Sequence, residues 1–260
     1  MREKQPTTIR RTATVGVAAL VLLSFAGVGA MGVWATDGGQ DDSAQVRVTH
    51  LSPDAPAVDV LVDGDPVLED VEFGTVSDYL ELPAGEHQVS IQTSENETTV
   101  FDGNVSVEAG TNYTVAAIGE VGEETFEVAV YEDDFEMPSE ENASVRLIHA
   151  SPDAPAVDVT VAESGAVLYD NVSFGNATDY AEVPAGDYTL EVRPATESDD
   201  GEVVTTFNAS VQGGTVNSAI AAGYLSPDEA AGDEPFDLVL ATDAGGDGMM
   251  MGNETTTEEM

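Results

Sequence analysis

A duplicated segment of about 100 residues constrains this chain more than any other feature of its sequence. The run Val46–Val60 returns as Val145–Val159, shifted by 99 positions, and the nonapeptide Ser-Pro-Asp-Ala-Pro-Ala-Val-Asp-Val is identical in both copies. Shorter matches follow downstream, with a Phe-Gly pair and a Pro-Ala-Gly turn in each copy. A period near 100 residues is the length of a domain rather than of a solenoid repeat. We therefore expect two homologous domains.

The repeat and the composition around it divide the 260 residues into five segments. These are a signal peptide or N-terminal membrane anchor (1–36), a first β-sandwich repeat (43–134), an acidic linker (135–143), a second β-sandwich repeat (144–242) and a disordered acidic tail (243–260).

Apolar residues recur with a period of two in each copy, as at Val58, Val60 and Val62, and turn signals such as Asp63–Pro66 separate the runs. Seven or eight short strands in about 90 residues are typical of an antiparallel β-sandwich of immunoglobulin-like size. The fold class we predict is all-β, with two tandem sandwiches. The chain has no cysteine, so the hydrophobic core alone must stabilise each of them.

Charge places the chain in an unusual solvent. It has 50 acidic and 7 basic residues, and after Asp37 the only cations are Arg47, Arg146 and Arg193. Such a polyanion repels nucleic acid, which excludes that class of partner. At about 1 M salt the Debye length is roughly 3 Å, so the carboxylates hardly repel one another. We therefore expect an extremely halophilic source, an archaeon, rather than a calcium-binding protein of an ordinary marine organism.

The amino terminus has the pattern of an export signal. Basic residues between Arg2 and Arg11 precede an uncharged apolar run over 12–35. The run exceeds the about 7–15 residues of a signal-peptide core and reaches the roughly 20 residues of a membrane span. Cleavage and retention as an anchor both stay open, as do general secretion and twin-arginine export. Either way the remainder is expected outside the cell, and this run is the only expected membrane contact.

Asparagine usage supports this topology. Of the nine asparagines after residue 36, eight begin an Asn-x-Ser/Thr sequon. They are Asn96, Asn104, Asn112, Asn142, Asn171, Asn176, Asn208 and Asn253. Sequons are glycan acceptors in exported proteins, so we expect these residues on exposed turns and some of them glycosylated.

The opening His-x-Ser-Pro-Asp-Ala-Pro-x-Val-Asp-Val, the Phe-Gly pair and the Pro-Ala-Gly turn resemble the domain-of-unknown-function 4397 family. The resemblance covers both copies. It implies exported β-domains in single or tandem arrangement, and it implies no catalytic residues.

The repeated motif is the candidate site, and three interpretations compete for it. His50, Ser52 and Asp54 could form a hydrolase triad, but alternate strand residues lie about 6.5–7 Å apart, beyond the hydrogen-bond reach of a nucleophile and its base. Four carboxylates are weak calcium candidates: Asp54, Asp59, Asp153 and Asp158. One histidine per copy fits neither calcium nor zinc well.

The third interpretation is structural, with prolines fixing the turn and polar side chains bonding the nearby backbone. Each arginine is then expected to pair within its own domain, Arg47 with Asp59 and Arg146 with Asp158. The residues of this structural motif are Arg47, His50, Ser52, Pro53, Asp54, Pro56 and Asp59 in the first copy and Arg146, His149, Ser151, Pro152, Asp153, Pro155 and Asp158 in the second.

These observations together predict a non-enzymatic, extracellular or cell-surface protein without a cofactor, whose partners are envelope or extracellular components. The expected role is adhesion or envelope architecture. The alternative is a binding protein for a small solute, a glycan or a calcium ion at the repeated turn or at the domain interface. A secreted hydrolase is the third hypothesis.

Overall fold

The computed structural model describes Thr7–Thr8 and residues 42–245. The strands are β1 (Thr7–Thr8), β2 (Ser43–His50), β3 (Val58–Val62), β4 (Asp65–Val71), β5 (Leu80–Pro83), β6 (Gly85–Thr93), β7 (Thr99–Val107), β8 (Asn112–Ile118), β9 (Glu127–Glu132), β10 (Asn142–His149), β11 (Val157–Val161), β12 (Val167–Val172), β13 (Ala181–Pro184), β14 (Gly186–Pro194), β15 (Thr205–Val211), β16 (Val216–Ala222) and β17 (Asp237–Ala244). One 3₁₀ turn, Pro227–Glu229, precedes β17.

The all-β prediction is confirmed, and each copy of the repeat builds one sandwich. Module 1 comprises β2–β9, with an inner sheet ordered β9-β8-β2-β5, to which β1 adds beside β9, and an outer sheet ordered β4-β3-β6-β7. Module 2 comprises β10–β17 and repeats the order as β13-β10-β16-β17 and β12-β11-β14-β15. Pairing is antiparallel except for one parallel pair in each inner sheet, β2 with β8 and β10 with β16.

The four sheets stack into four layers because the two inner sheets face each other. Residues of β8 show why: Tyr113, Val115 and Ala117 enter the core of module 1, whereas Ala116 and Ile118 enter a separate apolar cluster shared with module 2. Side chains alternate between the faces of a strand, so β8 is buried on both faces. The molecule therefore has a core in each module and a third between them.

The predicted boundaries differ slightly from the strands. The structure begins β10 at Asn142, inside the expected linker, and extends β17 to Ala244, inside the expected tail. The expected signal or anchor over 12–35 lies outside the described residues. Within the part of the chain that is described, no helix has the length and apolarity needed to cross a bilayer.

Candidate functional site

The duplicated turn holds its histidine by both ring nitrogens. His50 is 1% exposed; its Nε2 lies 3.1 Å from the carbonyl oxygen of Pro56, and its Nδ1 lies 3.4 Å from the backbone nitrogen of Ser52. A carbonyl only accepts and an amide N–H only donates. The ring is therefore neutral, with its proton on Nε2. Burial lowers the pKa of His50 and outweighs the hydrogen bond to Pro56 and the charge of Asp54.

The second copy repeats this arrangement. His149 lies 3.0 Å from the carbonyl of Pro155 through Nε2 and 3.3 Å from the Ser151 nitrogen through Nδ1, and burial likewise lowers its pKa. The ring of Phe174 meets His149 edge-on at 6.3 Å between ring centroids. The Phe-Gly motif therefore belongs to the same packed unit as the histidine turn. No nitrogen of either ring is left to activate a serine.

The repeated aspartate connects the turn to a loop of its own module, the loop after β8 in module 1 and the loop after β16 in module 2. Asp54 accepts the N–H groups of Val121 at 2.9 Å and Gly122 at 2.7 Å, one on each carboxylate oxygen. Asp153 accepts those of Leu225 at 2.8 Å and Ser226 at 2.9 Å. Charge-assisted bonds of this kind are about twice as strong as neutral ones. The structural interpretation of the turn thus has a geometric basis in both modules.

The predicted ion pairs of Arg47 and Arg146 are wrong. Arg47 and Arg146 do not pair with Asp59 and Asp158; each pairs with a carboxylate of the other module. Their surroundings form one cluster, here called the arginine interface. Its members are Arg47, Tyr79, Thr114 and Asp133 from module 1 and Arg146, Tyr180, Ser218 and Asp243 from module 2.

Arg47 reaches across the interface from β2. Its Nη2 lies 2.6 Å from Oδ1 of Asp243 in an ion-pair contact without hydrogen-bond alignment, and it donates to Ser218 Oγ at 3.0 Å. Its Nε donates to Thr114 Oγ1, in its own module, at 2.8 Å. The guanidinium carbon stands 5.2 Å from the centroid of the Tyr79 ring, within cation–π range.

Arg146 repeats these contacts in the opposite direction. Its Nε donates to Ser218 Oγ at 2.8 Å and its Nη2 to Thr114 Oγ1 at 3.0 Å, and Nη2 also pairs with Asp133. Burial is the largest single influence on the pKa of Arg146 and lowers it, but the charge and hydrogen bond of Asp133, together with Tyr180 and Asp243, outweigh burial, so the net direction is upward. The arginine stays charged.

The two hydroxyls complete the pattern. Each accepts one N–H from each arginine, and each donates to a carboxylate: Thr114 to Asp133 at 2.9 Å and Ser218 to Asp243 at 2.7 Å. An oxygen with two lone pairs and one proton is then fully used. Both arginines are 1% exposed, so no guanidinium N–H here is open to an external anion.

An apolar cluster continues along the facing inner sheets next to these charges. Ile118 and Tyr131 from module 1 pack with Ile148 and Ile220 from module 2, and Tyr131 donates to the Gly175 carbonyl across the boundary at 3.1 Å. The packing of the two modules against each other was not predicted from the sequence. The available signal was the continuous apolar run at the end of β8, since a strand buried on both faces loses its alternation.

The calcium candidates already have partners. Asp59 Oδ1 accepts Asp70 N–H at 2.8 Å and Ser94 Oγ–H at 2.7 Å. Asp158, which is fully buried, accepts the N–H groups of Asn171 at 2.8 Å and Thr196 at 3.0 Å.

One group of carboxylates could hold a metal. Oxygens of Asp158, Asp170 and Asp199 lie within 4.8 Å of one another. Partial burial, together with the negative charges of Asp170 and Asp158, raises the pKa of Asp199. Three oxygens fall short of the six to eight that calcium takes. Of this group the sequence pointed only to Asp158.

Module 2 contains a narrow apolar cavity between its two sheets. Leu190, Phe207, Ala219 and Leu238 are among the residues that line it, and its volume is about 40 Å³. Binding of benzene has been seen in an engineered cavity of about 150 Å³. The space is therefore too small for a small organic solute without rearrangement.

The sequons divide by exposure. Asn96, Asn104, Asn171 and Asn208 are exposed, and Asn112 and Asn142 are half-buried. The expectation of exposed turns is wrong for Asn176, which is only 7% exposed. It is also wrong in part for the sequons that lie in strands: Asn104 in β7, Asn171 in β12 and Asn208 in β15, with Asn112 and Asn142 as the first residues of β8 and β10. Asn253 lies outside the described residues.

The fold and the duplicated turn define a non-disulfide, tandem β-sandwich protein. The family profile described as "Domain of unknown function (DUF4397)" matches residues 44–160 and 143–246, and the chain belongs to this family. No curated protein matches the sequence with significant similarity.

Two solved structures are similar over much of the chain. One is a carbohydrate-binding module of family CBM26 from Eubacterium rectale, solved with maltoheptaose, with 8% identity, 78% of this chain and 98% of that chain covered, and a TM-score of 0.25. The other is described as "Alpha-glucan binding by a streptococcal virulence factor", with 11% identity, 68% and 92% coverage and a TM-score of 0.22. The fold assignment rests on the strands and sheets above.

Proposed function

We propose that this protein is a non-enzymatic, extracellular or cell-surface structural module of a halophilic archaeon, acting in adhesion or envelope architecture. One observation carries the proposal: the polar side chains of the duplicated motif are already bonded inside the fold. The histidines bond carbonyls and amides, the aspartates bond backbone N–H groups, and the arginines join the modules. The histidines, aspartates and arginines of the motif, which are the residue types best suited to catalysis or ligand binding, thus stabilise the fold.

The relation between the modules gives this role a mechanical form. Because the inner sheets pack face to face, the two modules form one four-layered unit rather than two separate domains joined by a linker. Such a unit presents two outer sheets on opposite sides, which is a geometry suited to bridging other surface components. The partners we propose are therefore envelope or extracellular components that contact the outer sheets.

The alternative, a ligand at the repeated turn or the domain interface, meets a geometric objection. At the turn, both oxygens of Asp54 hold backbone N–H groups. At the interface, Thr114 and Ser218 are saturated and the arginines are buried. A ligand at either place would have to displace bonds that hold the modules in position.

Four measurements test the proposal. The chain should be recovered with the envelope or the medium of its host, and purified chain should retain isolated envelope material in molar salt. The variants Asp54→Ala and Asp153→Ala should lower the melting temperature, because each removes the carboxylate that accepts two backbone N–H groups of the neighbouring loop. Asp179→Ala is the aspartate control outside this turn. Turnover of ester or glycoside substrates that His50→Gln abolishes would overturn the non-enzymatic assignment.

A further inference from the structure

We propose that N-linked glycans shield the edge strands of the two outer sheets against pairing with other β-strands. The inference rests on the extracellular location proposed above. Among the described residues, the outer-sheet edges are β4 and β7 in module 1 and β12 and β15 in module 2. Three of these four strands carry an exposed sequon: Asn104 on β7, Asn171 on β12 and Asn208 on β15.

Duplication has kept the acceptor at one place in both modules. Asn104 pairs in register with Gln88 of β6, and Asn208 pairs with Thr189 of β14, the equivalent strand. Each asparagine lies between core-facing neighbours, so its side chain projects from the outer face of the sandwich. The glycans would thus stand along corresponding edges of the two outer sheets.

An edge strand presents unpaired N–H and C=O groups that can template another strand. Proteins commonly blunt such edges with lysine, but this chain has no lysine after Lys4. Its many carboxylates give little repulsion in molar salt, because screening acts within roughly 3 Å. A bulky neutral group is then the effective means of keeping a second strand away.

The fourth edge is protected differently. Strand β4 has no sequon, but it contains Pro66, which cannot donate to a ladder, at a position paired with Leu61. Proline at an edge is a recognised device against strand addition. Each outer edge therefore carries one blocking feature, a proline or a glycan acceptor.

The local geometry leaves room for a sugar. An added strand would lie about 4.7–4.9 Å from the edge, with its side chains opposite those of β7 or β15, in the space that a sugar on the asparagine would take. The Asn208 carboxamide accepts Thr189 Oγ1–H at 3.1 Å through its oxygen, and this bond does not use the nitrogen. A surface groove of about 260 Å³, lined by Tyr188 and Ser210 among others, adjoins it.

The modification requires a phosphate-activated glycosyl donor on a lipid carrier and its transferase, both supplied by the cell. The bond between the sugar C1 and the donor phosphate oxygen breaks, and a C1–Nδ2 bond forms. The carboxamide nitrogen loses one proton, and the phosphate leaves with the bonding electron pair. The product is a neutral amide linkage.

The test compares two triple variants of the full chain, each exported from a halophilic archaeal host. Ser106→Ala, Ser173→Ala and Ser210→Ala remove the three sequons but keep the asparagines, whereas threonine at the same positions preserves them. Glycopeptide mass spectrometry reports occupancy, and sedimentation velocity in molar KCl reports molar mass against concentration. Asn96→Gln, in the turn between β6 and β7, removes a sequon away from the strand edges.

We expect sugar on Asn104, Asn171 and Asn208 in the parent and threonine variants, and concentration-dependent association of the alanine variant only. Asn96→Gln should keep the parent's molar mass. Equal molar masses for the alanine and threonine variants, or association of both, would overturn the inference. Chain recovered outside the cell with these three asparagines bare would overturn it and leave the proposed function standing, whereas recovery only from the cytosol would overturn both.

Discussion

At the scale of residues, most buried polar groups of the arginine interface bond to one another, and Oδ1 of Asp243 makes an ion-pair contact with Arg47 without a hydrogen bond. A buried ion pair gains little net stability, but removal of one partner strands a charge in the interior. Arg47 and Arg146 therefore determine how the modules dock more than how strongly they are held. Arg193 offers a comparison, because its pair with Glu191 is about one-fifth exposed on both sides.

Arg47→Met should lower the free energy of unfolding by about 3–5 kcal/mol, because Asp243 is left buried without its cation. Adding Asp243→Asn should recover part of that loss. Arg193→Met, the comparison variant, should cost less than Arg47→Met, because water reaches both partners of its pair with Glu191. Urea unfolding in molar KCl measures the free energy of unfolding of all three variants. Similar losses for Arg47→Met and Arg193→Met would contradict the assignment of Arg47 and Asp243 as a buried ion pair.

Two buried threonines of module 1 predict opposite effects of one substitution. Thr49 is fully buried, and among the described residues its hydroxyl oxygen has no hydrogen-bond partner; the equivalent residue of module 2 is Ile148. Thr49→Val should raise the free energy of unfolding by roughly 1 kcal/mol. Thr114→Val should lower it by about 2 kcal/mol or more, because three charged groups lose a partner. A common sign for both variants would argue against these assignments.

At the scale of elements, the strands and turns could be predicted far better than their docking. Alternation at Val58, Val60 and Val62 identified β3 directly, and the prolines marked the turn before it. The partner of Arg47 could not be predicted, because Asp243 is 196 positions away in sequence and lies in a segment whose acidity was typical of a tail. A local pattern gives the period of a strand, but it does not say which sheet will cover its second face.

The histidine turns predict a dependence on pH. Because burial lowers the pKa of His50 and His149, their stabilising contribution is present above the ordinary value of 6.5 and is lost as the pH falls below it. For His87, burial is the largest single influence and lowers the pKa, but the hydrogen bonds to Asp63 and to the Pro83 carbonyl, together with the charge of Asp63, outweigh it, so the net direction is upward. That contribution is present below 6.5 and is lost as the pH rises through the raised value.

Urea midpoints measured between pH 5.5 and 7.5 in molar KCl should therefore fall toward the acid end. The double variant His50→Gln, His149→Gln should flatten this slope, since neither side chain can then be protonated. His87→Gln should make the slope steeper, since it removes the opposing contribution. If the double variant leaves the slope of the urea midpoint against pH unchanged, groups other than these two histidines cause the loss of stability at low pH.

At the scale of the whole molecule, the fold must hold together with a formal net charge of −43. The cations that remain after residue 37 are used in pairs, two of them inside the arginine interface. The surface carboxylates therefore depend on dissolved cations for screening. Self-repulsion of such a surface favours expanded states when salt is removed.

Dialysis from molar to millimolar KCl should abolish the tertiary structure. Near-ultraviolet circular dichroism should lose its signal and regain it on return to molar salt. Sucrose at matched water activity serves as the control, because it favours compact states without screening charge. A spectrum that is unchanged in millimolar salt would contradict the halophilic interpretation of the composition.

The crossed ion pairs have a consequence for the gene. Each half of the chain supplies the counter-charge of the other. Recombination between the two identical nonapeptides would therefore delete one module and leave an arginine and an aspartate on the remaining module without their partners from the other. Such a product could neutralise them only by joining a second molecule through the same face. The crossed ion pairs thus disfavour loss of either module. Substitutions at the paired positions of one module are tolerated only where the other module still supplies the opposite charge.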